Sequence, residues 1–303
     1  MEHFSDRLAA SIARRRSLVC VGLDPMLERM PPALLEEFRP AAAAGEDEAV
    51  AACFAAFCAD VIEAVADVAA CVKPQAAFFE QYGAAGWRAL GETVARARAH
   101  DLPVILDVKR GDIASTGAAY RRAAFGGAPG FTAPVAGVAA DAVTVSPYLG
   151  EDALAPFVEA CAEGAGVFVL VRTSNPGAAT IQELEVGGRP LYLHVADVVA
   201  RMGAAHVGAH GYSDVGAVVG ATAPAALRAV RAALPHAFLL IPGVGAQGGG
   251  TAALAELKVG DAGGFVVNAS RSIIYAWQQG GADYRRAAAE AAEALRRALG
   301  PPA

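Results

Sequence analysis

The segment PVILDVKRGDIAST, residues 103–116, places four ionisable side chains directly after an apolar run that is typical of a buried strand. The four are Asp107, Lys109, Arg110 and Asp112. Asp107 and Lys109 are two positions apart, so on an extended strand their side chains point to the same side. A lysine held between carboxylates keeps its proton, because the opposite charges favour the ammonium form. Such a lysine is a poor nucleophile and a good proton donor to a carbanion.

A second candidate is the glycine-rich segment PGVGAQGGG, residues 242–250, which follows an apolar run. Successive glycines expose backbone N–H groups, which suits the binding of a phosphate group. The next apolar run ends in NASRS, residues 268–272, where Arg271 offers a planar fork of donors for phosphate oxygens. Together the two segments predict a phosphate site.

Three further polar groups end or interrupt apolar runs. Asp24 follows SLVCVGL, and Lys73 lies in CVKPQ, where a lysine with apolar neighbours needs an ionic partner or a chemical role. On adjacent strands these two residues would form a charged network with Asp107. RTSNPG, residues 172–177, carries Ser174 among other small polar residues, which either bind a polar ring or shape a turn.

These groups need a scaffold that brings strand ends together, and the apolar runs predict one. Eight short runs, each bounded by Gly, Pro, Asp or Ser, alternate with longer stretches of helical spacing. The runs are 17–23, 69–75, 103–109, 141–146, 166–172, 214–220, 237–243 and 263–268. Continuously apolar runs are typical of parallel strands buried on both faces. The pattern predicts an α/β fold, a single-domain TIM (β/α)8 barrel over residues 1–303, rather than a doubly wound open sheet, for which six strands would suffice.

The connections carry predictions of their own. An amphipathic helix is expected over residues 3–16, ahead of the first strand, and a helix-and-loop excursion over 25–48. Two long loops, 110–140 and 173–190, are rich in Gly and Pro and are placed where they can close over a ligand.

Composition narrows the class of function. The chain of 303 residues is 55% hydrophobic. A transmembrane helix needs about 18 to 20 consecutive apolar residues without a charge, and no stretch of this sequence is that long. A net charge of −6 gives no support to nucleic-acid binding. Five scattered cysteines without a C-x-x-C pair, and a start without a signal peptide, indicate a cytoplasmic protein. The six histidines fall in predicted helices or loops, so they predict no catalytic dyad or metal site. Asp24, Asp107 and Asp112 could hold a metal ion, but the lysines between them compete for that charge, so neither a metal nor a cofactor is expected.

The motif set resembles the orotidine 5′-monophosphate decarboxylase family in its longer form. The matching wording is VGLDP, VKPQ, LDVKRGDIAST, VRTSNPG, PGVGAQGG and VNASRSIIYA, which spans the barrel almost end to end. The resemblance implies conversion of orotidine 5′-monophosphate to UMP and CO₂ in de novo pyrimidine biosynthesis. It also implies a homodimer that works without a metal or an organic cofactor.

The resemblance further implies roles for the charged residues. Asp107, Lys109 and Asp112 would form the catalytic network, with Lys109 protonating C6 of the pyrimidine as CO₂ departs. Lys73 would belong to the same charged array and contact the ribose. Asp112 and Thr116 would reach in from the partner subunit.

By the same resemblance, five residues would bind the substrate outside the network. Asp24 would contact the ribose hydroxyls, Ser174 the pyrimidine edge, and Pro242 would wall the pyrimidine pocket. Gln247 would bridge the phosphate and the base, and Arg271 would bind the phosphate.

Two other readings stay open at the level of sequence. Sugar-phosphate decarboxylases and aldolases of the same barrel superfamily, such as keto-gulonate phosphate decarboxylase or hexulose phosphate synthase, share the D-x-K-x-x-D motif but use Mg²⁺ and an enediolate. A non-catalytic barrel that binds a nucleotide phosphate is the second alternative.

Overall fold

Eight parallel strands form the centre of the molecule in a computed structural model, which describes residues 1–243, 252–280 and 283–302. The strands are β1 (Val19–Leu23), β2 (Cys71–Pro74), β3 (Ile105–Arg110), β4 (Ala142–Val145), β5 (Gly166–Arg172), β6 (Ser213–Val219), β7 (Ala237–Pro242) and β8 (Phe265–Ala269). Each lies within or overlaps one of the eight predicted apolar runs. The prediction of a (β/α)8 barrel is confirmed, since all strand pairs in this sheet are parallel.

The sheet is continuous from β2 through β1, β8, β7, β6, β5 and β4 to β3. The barrel closes between β2 and β3, where two isolated parallel bridges pair Val72 with Val104 and Gln75 with Asp107. We call this junction the closure seam. Because the strands are parallel, all their carboxyl ends meet at one face of the barrel, and side chains that follow the strands are brought together there.

Helices surround the strands. They are α1 (Phe4–Arg15), α2 (Pro32–Phe38), α3 (Glu46–Val65), α4 (Ala76–Glu80), α5 (Gly83–Ala99), α6 (Ala114–Phe125), α7 (Glu151–Glu159), α8 (Ala179–Gln182), α9 (Leu191–Gly203), α10 (Pro224–Ala233), α11 (Arg271–Ile274) and α12 (Tyr284–Leu299). The apolar faces of the longer helices pack on the outside of the barrel and form one continuous core with its strands. In the part of the chain described, no helix is long and apolar enough to cross a membrane.

Helix α1 lies at the opposite end of the barrel from the predicted site. The carboxylate of Asp214, buried near the start of β6, accepts hydrogen bonds from His3 Nδ1 at 2.6 Å and from the backbone N–H of Ser5 at 2.8 Å. The ring of Phe4 packs against Gly166, the first residue of β5, where a Cβ atom would lie 2.2 Å from the ring. This helix therefore covers the amino ends of β5 and β6.

The connections differ in part from the sequence prediction. Residues 25–48 contain α2 between two short 3₁₀ turns, as a helix-and-loop excursion should. The sequence predicts a loop over residues 110–140, but this segment contains the twelve-residue helix α6. Small residues dominate its sequence, ASTGAAYRRAAF, and only Gly117 and Ala124 are buried, so it shows little apolar periodicity. The loop after β5 holds α8 and a two-residue antiparallel hairpin that pairs Glu185–Val186 with Arg189–Pro190.

Candidate active site

A cavity of about 490 Å³ opens at the carboxyl ends of the strands. Six of the predicted site residues line it: Asp24, Lys73, Asp107, Lys109, Ser174 and Pro242. The other lining residues are Gln75, Thr144, Leu170, Thr173, Asn175, Gln182, Val218, Leu240 and Asn268. The wall is thus charged on the side of β1 to β3 and mainly apolar or neutral across the barrel.

Asp107 is the centre of the charged side. Its Oδ2 atom accepts hydrogen bonds from Lys73 Nζ at 2.6 Å and Gln75 Nε2 at 3.0 Å. Its Oδ1 atom accepts from Lys109 Nζ at 2.6 Å and from the hydroxyl of Thr144 at 2.8 Å. Two cations and two neutral donors therefore hold one carboxylate in a fixed orientation.

Burial and charge act in opposite directions on this cluster. Asp107 is 6% exposed, which by itself raises the pKa of its carboxyl, but the ammonium groups of Lys73 and Lys109 outweigh burial and hold that pKa well below its usual range. Lys73 is 5% exposed, which lowers its pKa, but the charges of Asp107 and Asp24 raise the pKa above its ordinary value. Both residues are therefore charged at neutral pH.

Lys109 has an unusual backbone. Its φ is 44°, in the left-handed region, and its side chain is 47% exposed towards the cavity. The register between β3 and β4 shifts at this point, which marks a bulge. The predicted contact between Asp107 and Lys109 exists, but it is made across a bulge and not by the simple alternation of an extended strand. A non-glycine residue at positive φ is strained, and such strain is concentrated at functional sites.

Asp24 and Ser174 lie on other parts of the wall. The Oδ1 atom of Asp24 is buried and has no hydrogen-bond partner within the described part of the chain. A buried carboxylate oxygen without a partner is costly, so this atom is suited to accept a hydrogen bond from a ligand. Ser174 lies directly against Gly220, where a Cβ atom would come within 2.6 Å of Ser174 Cα. The glycine allows the serine to line the cavity.

Four predicted site residues are not among those that line the cavity. Asp112 is partly exposed and its Oδ1 accepts from the backbone N–H of Ile113 at 2.8 Å. Thr116 is exposed on α6, and Arg271 is exposed as the first residue of α11. Gln247 lies outside the described residues, as does most of the glycine-rich segment.

Sequence reasoning did not single out Gln75, Thr144, Gln182 and Asn268, which line the cavity. Signals existed for two of them: Gln75 follows Lys73 by two positions on the same side of the strand, and Thr144 is the only polar residue of β4. Gln182 had no such signal. It lies on α8 and reaches back to Thr173, whose backbone N–H donates to Gln182 Oε1 at 2.8 Å.

The arrangement supports acid catalysis by an ammonium group. The Nζ atom of Lys109 lies at the cavity, and the carboxylate of Asp107 holds it in place. A negative charge that develops in the cavity would therefore be stabilised by a preorganised cation. Within residues 1–243, 252–280 and 283–302, no group of three or more His, Cys, Asp or Glu side chains is placed to hold a metal ion.

Comparison with known proteins agrees with the resemblance found in the motifs. Residues 17–287 match the model of the orotidine 5′-phosphate decarboxylase / HUMPS family. An orotidine 5′-phosphate decarboxylase of Rhodopirellula baltica is 47% identical over 91% of this chain and 89% of its own. One of Halobacterium salinarum is 43% identical over 98% of both chains. The structure of Leishmania donovani OMP decarboxylase superposes with a TM-score of 0.72 at 36% identity, over 98% of this chain and 99% of that one.

Proposed function

Since the chain belongs to the orotidine 5′-phosphate decarboxylase / HUMPS family, we propose that it converts orotidine 5′-monophosphate to UMP and CO₂ in pyrimidine biosynthesis. The observation that carries the proposal beyond family membership is the buried carboxylate of Asp107, held between two lysine ammonium groups at the mouth of the barrel. Residues 1–303 would act as one catalytic domain.

The chemistry of the reaction fits this cluster. Loss of CO₂ from C6 of the pyrimidine leaves an electron pair in the plane of the ring, where the π-system does not delocalise it. An ammonium group beside C6 stabilises that charge and then donates its proton to the same carbon. Lys109 is the candidate, because its Nζ faces the cavity whereas the Nζ of Lys73 is buried. Asp107 would hold the ammonium group of Lys109 in place through the hydrogen bond at its Oδ1 atom.

The remaining wall supports a nucleotide orientation. Asp24, whose Oδ1 atom has no hydrogen-bond partner among the described residues, and Lys73 would bind the ribose hydroxyls. Ser174 would hydrogen-bond the pyrimidine edge and Pro242 would pack on the ring. The phosphate would lie beyond Pro242, where the glycine-rich segment begins, with Arg271 on the next strand end as its side-chain donor. Binding energy from a phosphate far from C6 would hold the ring in the reactive orientation.

Gln247 would complete the phosphate end by bridging the phosphate and the base. This role rests on the family resemblance alone, because the residue lies outside the described part of the chain.

The site would be completed by a second subunit. Asp112 and Thr116 follow β3, are partly or fully exposed, and are not among the residues that line the chain's own cavity. Exposed apolar side chains occur on the same connection and on the one after β4. They are Ile113, Tyr120, Phe131, Val135, Tyr148 and Leu149. Such a surface fits a homodimer interface across which Asp112 and Thr116 enter the partner's site.

Subunit exchange tests the shared site. Lys109→Ala and Asp112→Ala should each be inactive alone, but mixed heterodimers retain one site with both residues intact. Random exchange of equal amounts then restores about a quarter of the wild-type sites, because half of the dimers are mixed and each has one intact site. Mass spectrometry would show whether subunits have exchanged. If activity does not return although exchange has taken place, the sharing of Asp112 is refuted.

Ultraviolet absorbance of orotidine 5′-monophosphate tests the reaction itself. The purified protein should remove the orotate band and produce UMP, with the same rate in EDTA. Abolition by EDTA, restored by Mg²⁺, would favour the metal-dependent sugar-phosphate enzymes of the superfamily. Binding of UMP without turnover would favour a non-catalytic barrel. No observation on the structure favours either alternative.

We also propose that the protein is cytoplasmic. All five cysteines are buried as free thiols, which suits a reducing compartment. Fractionation of cells followed by immunodetection tests this assignment.

A further inference from the structure

Strand β3, which carries Lys109, has more residues than the neighbouring stretch of β4 with which it pairs. Leu106 pairs with Val143 and Arg110 pairs with Val145, so three residues of β3 stand opposite one residue of β4. That one residue is Thr144, which is 1% exposed and lines the cavity. A bulge of this kind leaves backbone N–H groups without ladder partners, and buried donors need another acceptor.

The hydroxyl of Thr144 serves as that acceptor. It accepts hydrogen bonds from the backbone N–H groups of Val108 at 3.1 Å and Lys109 at 3.0 Å. The same oxygen donates its proton to Asp107 Oδ1 at 2.8 Å. One hydroxyl therefore contacts all three residues of the bulge and uses both its donor and its acceptor capacity.

We propose that Thr144 is a positioning residue for Lys109, acting through the bulge of β3 and the carboxylate of Asp107. The inference rests on the proposed function and adds a residue to it. The left-handed backbone of Lys109 costs free energy and persists only where surrounding contacts over-determine it. The hydroxyl supplies such contacts on the N–H side of the strained residue and fixes the carboxylate oxygen that Lys109 pairs with.

The physical consequence of losing the hydroxyl follows directly. Without this acceptor, the backbone N–H groups of Val108 and Lys109 have to form hydrogen bonds with water. The peptide groups become accessible to water when they rotate out of the bulge. Such rotation moves the lysine away from the position where it faces C6. An error of about 1 Å at a reacting group lowers the rate by up to about a hundredfold. Asp24, Ser174 and Arg271, which are proposed to bind other parts of the substrate, are not part of the bulge and should remain in place.

A set of variants at this position tests the proposal. Thr144→Ser keeps the hydroxyl, while Thr144→Ala and Thr144→Val remove it; the serine and alanine variants differ by one oxygen atom. We expect kcat for orotidine 5′-monophosphate to fall about tenfold to a hundredfold in the alanine and valine variants. In the serine variant, kcat should stay within about threefold of the wild type.

Binding separates positioning from a general structural effect. UMP needs no proton from Lys109, so its affinity, measured by calorimetry, and the KM should change less than about twofold in all folded variants. Thr93→Val is the matched control: Thr93 is 1% exposed and its hydroxyl donates to the carbonyl of Ala89 in α5, at 2.8 Å, outside the cavity. It should leave kcat unchanged.

The outcomes are distinct. Wild-type kcat in the alanine or valine variant overturns the positioning role and leaves the proposed function intact. An equal loss in the serine variant also overturns it, because the hydroxyl is then not the group that matters. If the valine variant does not fold, the serine and alanine pair decides the question alone. A wild-type protein without turnover refutes the proposed function and this inference with it.

Discussion

Replacing Asp107 by alanine should destabilise the protein strongly, because it leaves the buried ammonium group of Lys73 without its ion pair. Both side chains are less than a tenth exposed, and their Nζ and Oδ2 atoms lie 2.6 Å apart. Removing one partner of a buried ion pair lowers the free energy of unfolding by about 3–5 kcal/mol. The nearby charge of Asp24 remains, so the lower half of this range is expected.

The size of the effect on the melting temperature follows from chain length. At about 2.1 cal/mol/K per residue, a chain of 303 residues unfolds with an entropy of about 0.6 kcal/mol/K. A loss of about 3 kcal/mol then lowers Tm by about 5 °C. Differential scanning calorimetry at a fixed protein concentration measures this shift.

Asp112→Ala is the matched control. Asp112 belongs to the same motif and is proposed to be essential, but its carboxylate is partly exposed and bonds the neighbouring N–H of Ile113. Its loss should cost about 1 kcal/mol or less. Both variants should be inactive, so lost activity does not account for a difference in stability.

The pH dependence adds a second check. In Asp107→Ala, Asp24 is the main charge left to oppose burial, which is the largest influence on the pKa of Lys73, so we expect that pKa to fall below its unfolded value. The unfolded chain then binds more protons, and the stability of the variant should rise with pH. The deficit relative to the wild type should therefore shrink from pH 7 to pH 10. A variant that melts at the wild-type temperature, with no such trend, would refute the view that Asp107 compensates the buried lysine.

Three other predictions concern stability. The pKa of Asp107 in the folded protein is depressed below its unfolded value of about 3.9. Its contribution to the free energy of unfolding is therefore present above that pH and is lost as the pH falls through the folded value. The free energies of unfolding of the wild type and Asp107→Asn, measured in urea, should converge only below about pH 4. Arg16→Gly should raise the free energy of unfolding by about 0.5–1 kcal/mol and leave kcat unchanged. Arg16 is exposed and follows the last residue of α1 with a φ of 48°, a backbone conformation that favours glycine. An unchanged or lower midpoint of unfolding in urea would contradict this. Asp283→Ala should cost about 1 kcal/mol, because the carboxylate accepts the N–H groups of Arg285 and Arg286 at the start of α12; a melting temperature equal to that of the wild type would show that this cap is dispensable.

The barrel was predictable because its strands are buried on both faces. Each strand is a continuous apolar run, such as GVFVLVR in β5, and the end of the run marks where polar chemistry begins. That rule found Asp24, Lys73, Asp107 and Lys109, all of which line the cavity. The contact of Lys73 with Asp107 followed from adjacent strands alone.

Other parts were not predictable because they depend on contacts between distant segments. The bulge of β3 contains no glycine, so nothing in LDVKR announces that Lys109 takes a left-handed backbone. Gln182 reaches the site only because α8 folds back on the end of β5. Helix α6 is not predictable from its sequence, because its many small residues show no apolar repeat of helical period. The roles of Asp112, Thr116, Gln247 and Arg271 remain predictions, since they depend on the partner's site, on the bound substrate or on residues outside the described part of the chain.

The closure seam has a consequence for how this barrel can change in evolution. The seam is held by two bridges, and one of them includes Asp107, whose carboxylate also joins β3 to Lys73 on β2. The residues proposed for catalysis therefore also hold β2 and β3 together where the barrel closes. A lineage released from selection for turnover could not change these positions freely, because an unpaired buried charge there would destabilise the junction of β2 and β3. Descendants without activity should either retain the charged pair as a relic or replace both residues together with apolar ones.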